Sequence, residues 1–191
     1  MKTSRLRITL RAVLPEVTRT IDVPNSCTLP ELHDILQSAV GWTDSHLHQF
    51  GAGELTYSVP HEDDELLSSP VIDESTARLS DLPARFTYLY DFGDGWEHDV
   101  EVLGAGADRP GCIDGEGTCP PEDCGGPYSF MELLKILADP TRAEHDEMKR
   151  WAGELREFDL VETDELIRRT VGDVPASVRL VLDLASGGVK L

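Results

Sequence analysis

The segment "RLRITLR", residues 5–11, alternates Leu6, Ile8 and Leu10 with Arg5, Arg7, Thr9 and Arg11, the period of two that marks a strand buried on one face. A turn around Pro15 follows, and "VTRTIDV" repeats the alternation with Val17, Ile21 and Val23 inward. That register sends Arg19 to the apolar side, where a guanidinium wants a carboxylate partner or a route for its head to reach water. "TLPELHDILQSAVGW" then changes to helical spacing, with Thr28 as N-cap, Pro30 in the first turn, Leu32, Ile35, Leu36 and Ala39 on one stripe, and Gly41 as the stop. Strand, turn, strand and helix in this order open a β-grasp-like unit. "SHLHQF" and "ELTYSV" predict a further hairpin turning at Gly51 to Gly53, and residues 60–84, with Pro60, Pro70, Pro83 and the acidic run "HEDDE", predict a surface loop.

The densest stretch is "YLYDFGDGWEHDVEVL", residues 88–103. A turn made of Asp94 and Gly95 alone would place the aromatic face of Phe86, Tyr88, Tyr90 and Phe92 beside Glu97, Asp99 and Glu101, which burial penalises. A three-residue loop, Gly93-Asp94-Gly95, instead pairs Phe92 with Trp96, Tyr90 with His98, Tyr88 with Val100 and Phe86 with Val102. One face is then apolar and the other, with Asp91, Glu97, Asp99 and Glu101, acidic. The segment from Gly104 to Pro127 holds seven glycines, four prolines and three cysteines, a composition that predicts an irregular loop. Three helices follow: "SFMELLKILADP" and "TRAEHDEMKRWAGE", each opened by a capping box (Ser129 with Glu132, Thr141 with Glu144), and "TDELIRRTV", capped by Thr163.

Composition narrows the class. A chain of 191 residues with 40% hydrophobic content and no run of eighteen apolar residues predicts one soluble domain over residues 1–171 and a short tail over 172–191. The N-terminus has charges spread through its apolar residues, so a cytoplasmic address without membrane attachment is expected. The net charge of −19 repels phosphate backbones and argues against direct nucleic-acid binding. Lys2, Arg5, Arg7, Arg11 and Arg19 nevertheless outnumber Glu16 and Asp22 in the first strands, as arginines do on an outer strand that must avoid edge pairing.

Three constellations carry candidate chemistry. Cys112, Cys119 and Cys124 are a candidate zinc set, completed by His98 or a carboxylate, although their spacing is not that of paired C-x-x-C knuckles. His46 and His48, two residues apart and so on one face of a strand, stand with His98, Asp91, Asp94 and Asp99 of the hairpin as candidates for a metal or for acid–base work. The predicted register, however, seats His98 on the aromatic face, away from Asp91 and Asp99. In "PPEDCGGP", Glu122 and Asp123 precede Cys124 at a helix start, where a thiol pKa is lowered; no histidine lies near it in sequence, so a structural loop is expected.

Four stretches, "GWTDSHLHQF" (41–50), "YDFGDGWEHDVEV" (90–102), "CPPEDCGGPYSFMELL" (119–134) and "ADPTRAEHDEM" (138–148), resemble the plasmid pRiA4b ORF-3-like family. That family is also labelled as passenger TnpR-like proteins of an insertion element. The resemblance implies an α+β, β-grasp-like fold, a mobile-element association for some members, and no established activity. Where the family has Trp-Arg-Arg after the first turn, this chain has Thr18, Arg19 and Thr20, so only Arg19 carries over. Recombinase chemistry lacks support, because Ser4 sits in the N-terminus, no tyrosine is set in an Arg, His and Arg framework, and the net charge of −19 opposes DNA.

The expectation is therefore an α+β protein with a β-grasp-like mixed sheet, a packed helix, C-terminal helices and a Cys/Gly/Pro-rich loop. It is read as a binding or accessory module for an unknown protein or small ligand. The alternatives are a zinc-dependent enzyme and a nucleic-acid accessory factor of a transposable element. His98, Asp91 and Asp94 are the candidate catalytic residues, and His46, His48, Trp96 and Arg19 the candidate ligand or partner surface.

Overall fold

A computed structural model describes residues 2–60 and 71–172 of the chain. Its strands are β1 (Thr3–Leu10), β2 (Thr18–Pro24), β3 (His48–Ala52), β4 (Leu55–Ser58), β5 (Val71–Asp73), β6 (Arg85–Tyr90), β7 (Trp96–Ala105) and β8 (Gly111–Glu116). The helices are α1 (Leu29–Val40), α2 (Gly126–Ala138), α3 (His145–Ala152) and α4 (Leu160–Thr170). The strands form one sheet in the order β5-β4-β3-β6-β7-β1-β2-β8. All neighbours are antiparallel except β4 and β5, so the sheet is mixed and the protein α+β.

One sheet face contributes Leu6, Ile8, Ile21, Phe50, Phe86, Tyr88, Trp96 and Val100 to the core, against Leu29, Leu32, Ile35 and Leu36 of α1. The helix begins as expected, with Thr28 and Glu31 in a reciprocal cap, and ends at Gly41 in the left-handed region. The opposite sheet face is charged and internally paired. Arg5 pairs with Asp22, Arg7 with Glu16, Arg11 with Glu97 and Asp99, and Arg85 with Glu101. Because β1 lies between β7 and β2, its arginines do not guard an edge; they neutralise neighbouring strands.

The central hairpin keeps its predicted faces in a different register. Tyr90 pairs with Trp96, Tyr88 with His98 and Phe86 with Val100, a slide of two residues, and a two-residue slide leaves every side chain on its own face. The loop is consequently Asp91 to Gly95. Asp91 takes a left-handed conformation at φ 55°, its Oδ1 accepts the Gly93 and Asp94 amides, and its carbonyl accepts the Gly95 amide. Phe92, predicted to pair with Trp96, is instead 51% exposed at the loop crest.

Elsewhere tertiary partners override local signals. The segment predicted to be irregular from Gly104 contains the end of β7 and all of β8, which pairs along β2 from Thr18 to Asp22. Its glycines permit close approach: a Cβ on Gly115 would stand 2.8 Å from the Thr18 carbonyl oxygen. The predicted surface loop 60–84 holds β5 and two 3-10 turns that bury Glu74, Ala77, Leu79 and Leu82, while "HEDDE" lies outside the described residues. The β3–β4 turn falls on Gly53 and Glu54, one step later than predicted.

The three later helices also start differently. α2 begins at Gly126 after a glycine N-cap, and Glu132 binds Arg142 and Lys135 rather than a cap. α3 begins at His145, with Thr141 bound to Asp139, and α4 is capped by Asp159, leaving Thr163 buried inside it. The stretch "ASVRLVLDLA" of the tail lies outside the described residues.

Arg19 does point to the apolar side, but among the described residues it has no carboxylate partner, and it is buried from water. Its guanidinium donates to the carbonyls of Ala39 at 2.9 Å and of Thr18 and Glu116 at 2.7 Å. It also stacks 4.5 Å from the Phe158 ring centre. A cation at the C-terminal carbonyls of α1 suits the helix dipole. Arg19 thus ties α1 to β8 and belongs to the framework rather than to a partner surface.

Candidate functional site

Three loops converge at one end of the hairpin: residues 42–47 after α1, the loop 91–95, and the loop 117–125 before α2. Trp42 Nε1 donates to the Pro120 carbonyl at 2.9 Å, and the Gly125 amide to Asp94 Oδ2 at 2.9 Å. Gly126 lies so close that a Cβ on it would be 2.5 Å from the Asp94 carbonyl oxygen, which is why glycine is needed there. Asp94 is therefore a clamp between loops.

Within this junction, His46 Nε2 faces three carboxylates: Asp123 Oδ1 at 3.2 Å, Asp91 Oδ2 at 3.7 Å and Glu122 Oε2 at 3.9 Å. The nitrogen is buried and has no hydrogen-bond partner among the described residues: Asp91 and Glu122 stand beyond hydrogen-bond distance, and Asp123, though near enough, lies off the N–H direction. The carboxylates are individually held. Asp91 spends Oδ1 on its own turn, leaving Oδ2 toward His46. Glu122 accepts from the Thr43 amide at 3.0 Å and from the Tyr90 hydroxyl at 3.1 Å. Burial pushes the Tyr90 phenol up to about 12, so it stays protonated and able to donate.

Ligand atoms about 2.1 Å from a tetrahedral ion stand roughly 3.4 Å apart, each off the bond axis of the others. The atoms of His46, Asp91 and Asp123 lie within 4.8 Å of one another, and His46 to Asp123 is already at that ligand spacing. One imidazole and carboxylates form a donor set suited to a divalent ion between hard and borderline, such as manganese or zinc. The ordered partners of Asp91 and Glu122 are the outer-shell hydrogen bonds such sites need.

A second group, His33, Asp44 and His48, also brings three ligand atoms within 4.8 Å, but its bonds are closed. His33 meets Asp44 at 2.8 Å and the Tyr88 hydroxyl at 2.9 Å, and His48 meets the buried Glu74 at 2.9 Å. The two imidazoles stack with centres 3.5 Å apart and 6° between planes. Parallel stacked rings direct their in-plane lone pairs side by side rather than at one point, a poor geometry for a shared ion. Burial, reinforced by repulsion from His48, lowers the His33 pKa.

The remaining predicted residues separate from the site. His46 and His48 do not share surroundings: His46 precedes β3 and joins the carboxylates, whereas His48 is buried with His33 and Glu74. His98 is sealed, with Nδ1 at 3.2 Å from the Tyr88 carbonyl oxygen and its ring edge-on to Trp42; burial brings its pKa down to about 4. Trp96 is fully buried and cannot form a partner surface.

The cysteines do not cluster with other donors among the described residues. Cys112 lies on β8, and burial raises its thiol to about 11 and those of Cys119 and Cys124 to about 12. For Cys124 this reverses the lowering expected at a helix start. Glu122 and Asp123 are the members that sequence reasoning assigned only to a loop. The available signal was an adjacent acidic pair fixed between Pro-Pro and Gly-Gly.

The fold is thus an eight-stranded α+β sheet with an acidic, histidine-bearing junction of loops at one end. The chain belongs to the plasmid pRiA4b ORF-3-like protein family, whose sequence profile matches residues 2–166. It is 40% identical over 157 residues to the uncharacterized protein y4hQ of Sinorhizobium fredii (strain NBRC 101917 / NGR234), a match spanning 78% of this chain and 80% of that protein. Its fold is also that of the protein of unknown function MM3350 from Methanosarcina mazei Go1, with a TM-score of 0.76 and 28% identity over 84% of this chain and 97% of that one. No helix among the described residues is long and apolar enough to cross a membrane.

Proposed function

We propose that the protein is a binding module whose site takes a divalent metal ion of the manganese or zinc type, held by His46, Asp91 and Asp123 with Glu122 beside them. The observation that carries this reading is the buried His46 Nε2, which lacks a hydrogen bond among the described residues although three carboxylate oxygens stand 3.2 to 3.9 Å away. Carboxylates gathered this closely repel one another, and a cation bound among them removes that cost. The geometry weighs against a cysteine zinc site, since among the described residues no cysteine stands in a group of three close donor atoms. A nucleic-acid accessory role in a mobile element has less support, because Arg5, Arg7 and Arg11 are each paired with a carboxylate.

Element analysis of tag-free protein, dialysed first against manganese or zinc and then against metal-free buffer, tests the assignment. One equivalent is expected in the native chain and in Cys119→Ser/Cys124→Ser, with loss in Asp91→Asn/Asp123→Asn. Retention in the aspartate variant, or loss in the cysteine variant alone, overturns it.

A further inference from the structure

The loop that supplies Asp123 to the cation site also forms one end of an open groove. This groove, of about 330 Å3, runs between α2 and α3 and is lined beyond Asp123 and Cys124 by Tyr128, Leu133, Ile136, Met148 and Trp151. Tyr128 is 78% exposed and Trp151 50%, yet on its α2 side Leu133 is buried, so a partly formed apolar surface faces solvent beside a polar centre. Pockets for small organic ligands are mostly apolar, hold a few placed polar groups, and begin at about 300 Å3.

We infer that the groove takes the apolar body of a small organic ligand whose uncharged oxygen or nitrogen donor completes the coordination of the cation. This rests on the metal reading above. Continuity makes the connection: Asp123 belongs both to the donor group around His46 and to the groove wall, so one end of the groove adjoins that group. Charge selects the head. Asp91, Glu122 and Asp123 already outweigh a divalent ion, so an anionic head is repelled while an amide or hydroxyl donor is accepted. The aromatic and thioether side chains favour a flat or ring-bearing body.

The test uses the full chain, Mn2+ and 4-phenylbutanamide, followed by proton relaxation of the probe. Bound Mn2+ relaxes nearby protons steeply with distance. The methylene protons next to the carboxamide are expected to relax several-fold faster than the ring protons. Trp151→Ala should weaken probe binding at least fivefold without changing Mn2+ stoichiometry, and Asp123→Asn should remove the paramagnetic effect. Equal relaxation of head and ring, unchanged probe affinity in Trp151→Ala, or bound Mn2+ with no probe binding overturns the inference while leaving the metal reading in place. Absence of bound Mn2+ overturns both.

Discussion

Two histidine–carboxylate regions lie within a few residues of each other in sequence and differ in one respect. In the core, His33 and His48 are each paired with a carboxylate at 2.8 or 2.9 Å and stack on each other beneath Tyr88. At the loop junction, His46 sees more carboxylate, and its Nε2 has no hydrogen-bond partner among the described residues. The core is a completed network, which rigidifies a fold. The junction is held from behind by Tyr90, Thr43 and the Asp91 turn while His46 Nε2 is left without a hydrogen bond among the described residues, the arrangement that the proposed cation site requires.

The largest effect that would sharpen this contrast comes from the core. Trp96→Ala removes a fully buried indole and should cost about 3–5 kcal/mol in urea denaturation; a loss below about 1 kcal/mol would show that the aromatic face is not the foundation described. Next is acid sensitivity. The His98 imidazole, at about 4 in the fold and near 6.5 when unfolded, is neutral in both states above about pH 6.5. Between 6.5 and 4 only the unfolded chain takes the proton, so stability falls by about 3 kcal/mol across that window and this contribution levels off below it. His98→Phe should flatten that part of the stability profile, and an unchanged profile would contradict the sealed placement.

The smallest effect belongs to the junction. Asp91→Asn and Asp123→Asn introduce a residue type that tolerates the left-handed backbone seen at both positions, and the amide placed at position 91 retains an oxygen for its turn. Each should change stability by less than about 1 kcal/mol, in either direction, while cation affinity falls at least tenfold. A large loss of stability from either would place these carboxylates in the framework with Glu74.

Local periodicity made much of the fold legible. The alternation of β1, β2 and β6 and the helical stripe with its Thr28 cap each specify one buried face, and faces survive even a two-residue error in register, as the hairpin shows. What local pattern could not supply was long-range pairing. β8 is recruited by the open edge of β2 despite its glycines, and the caps at Ser129 and Thr141 lose to neighbouring partners.

The site was half legible for the same reason. His46 and Asp91 were visible as chemistry-bearing residues, but their separation from His48 and His98 depends on where β3 begins. The joining of Asp123 to them depends on a loop contact across the fold, fixed by Asp94 and Gly125.

The claim that the open junction is a cation site, and the closed core is not, is tested most directly by calorimetric titration of tag-free protein with Mn2+. The account predicts one binding event per chain that is abolished in Asp91→Asn/Asp123→Asn and unaltered in Glu74→Gln. No binding in the native chain, or binding lost in Glu74→Gln and kept in the aspartate variant, would contradict it.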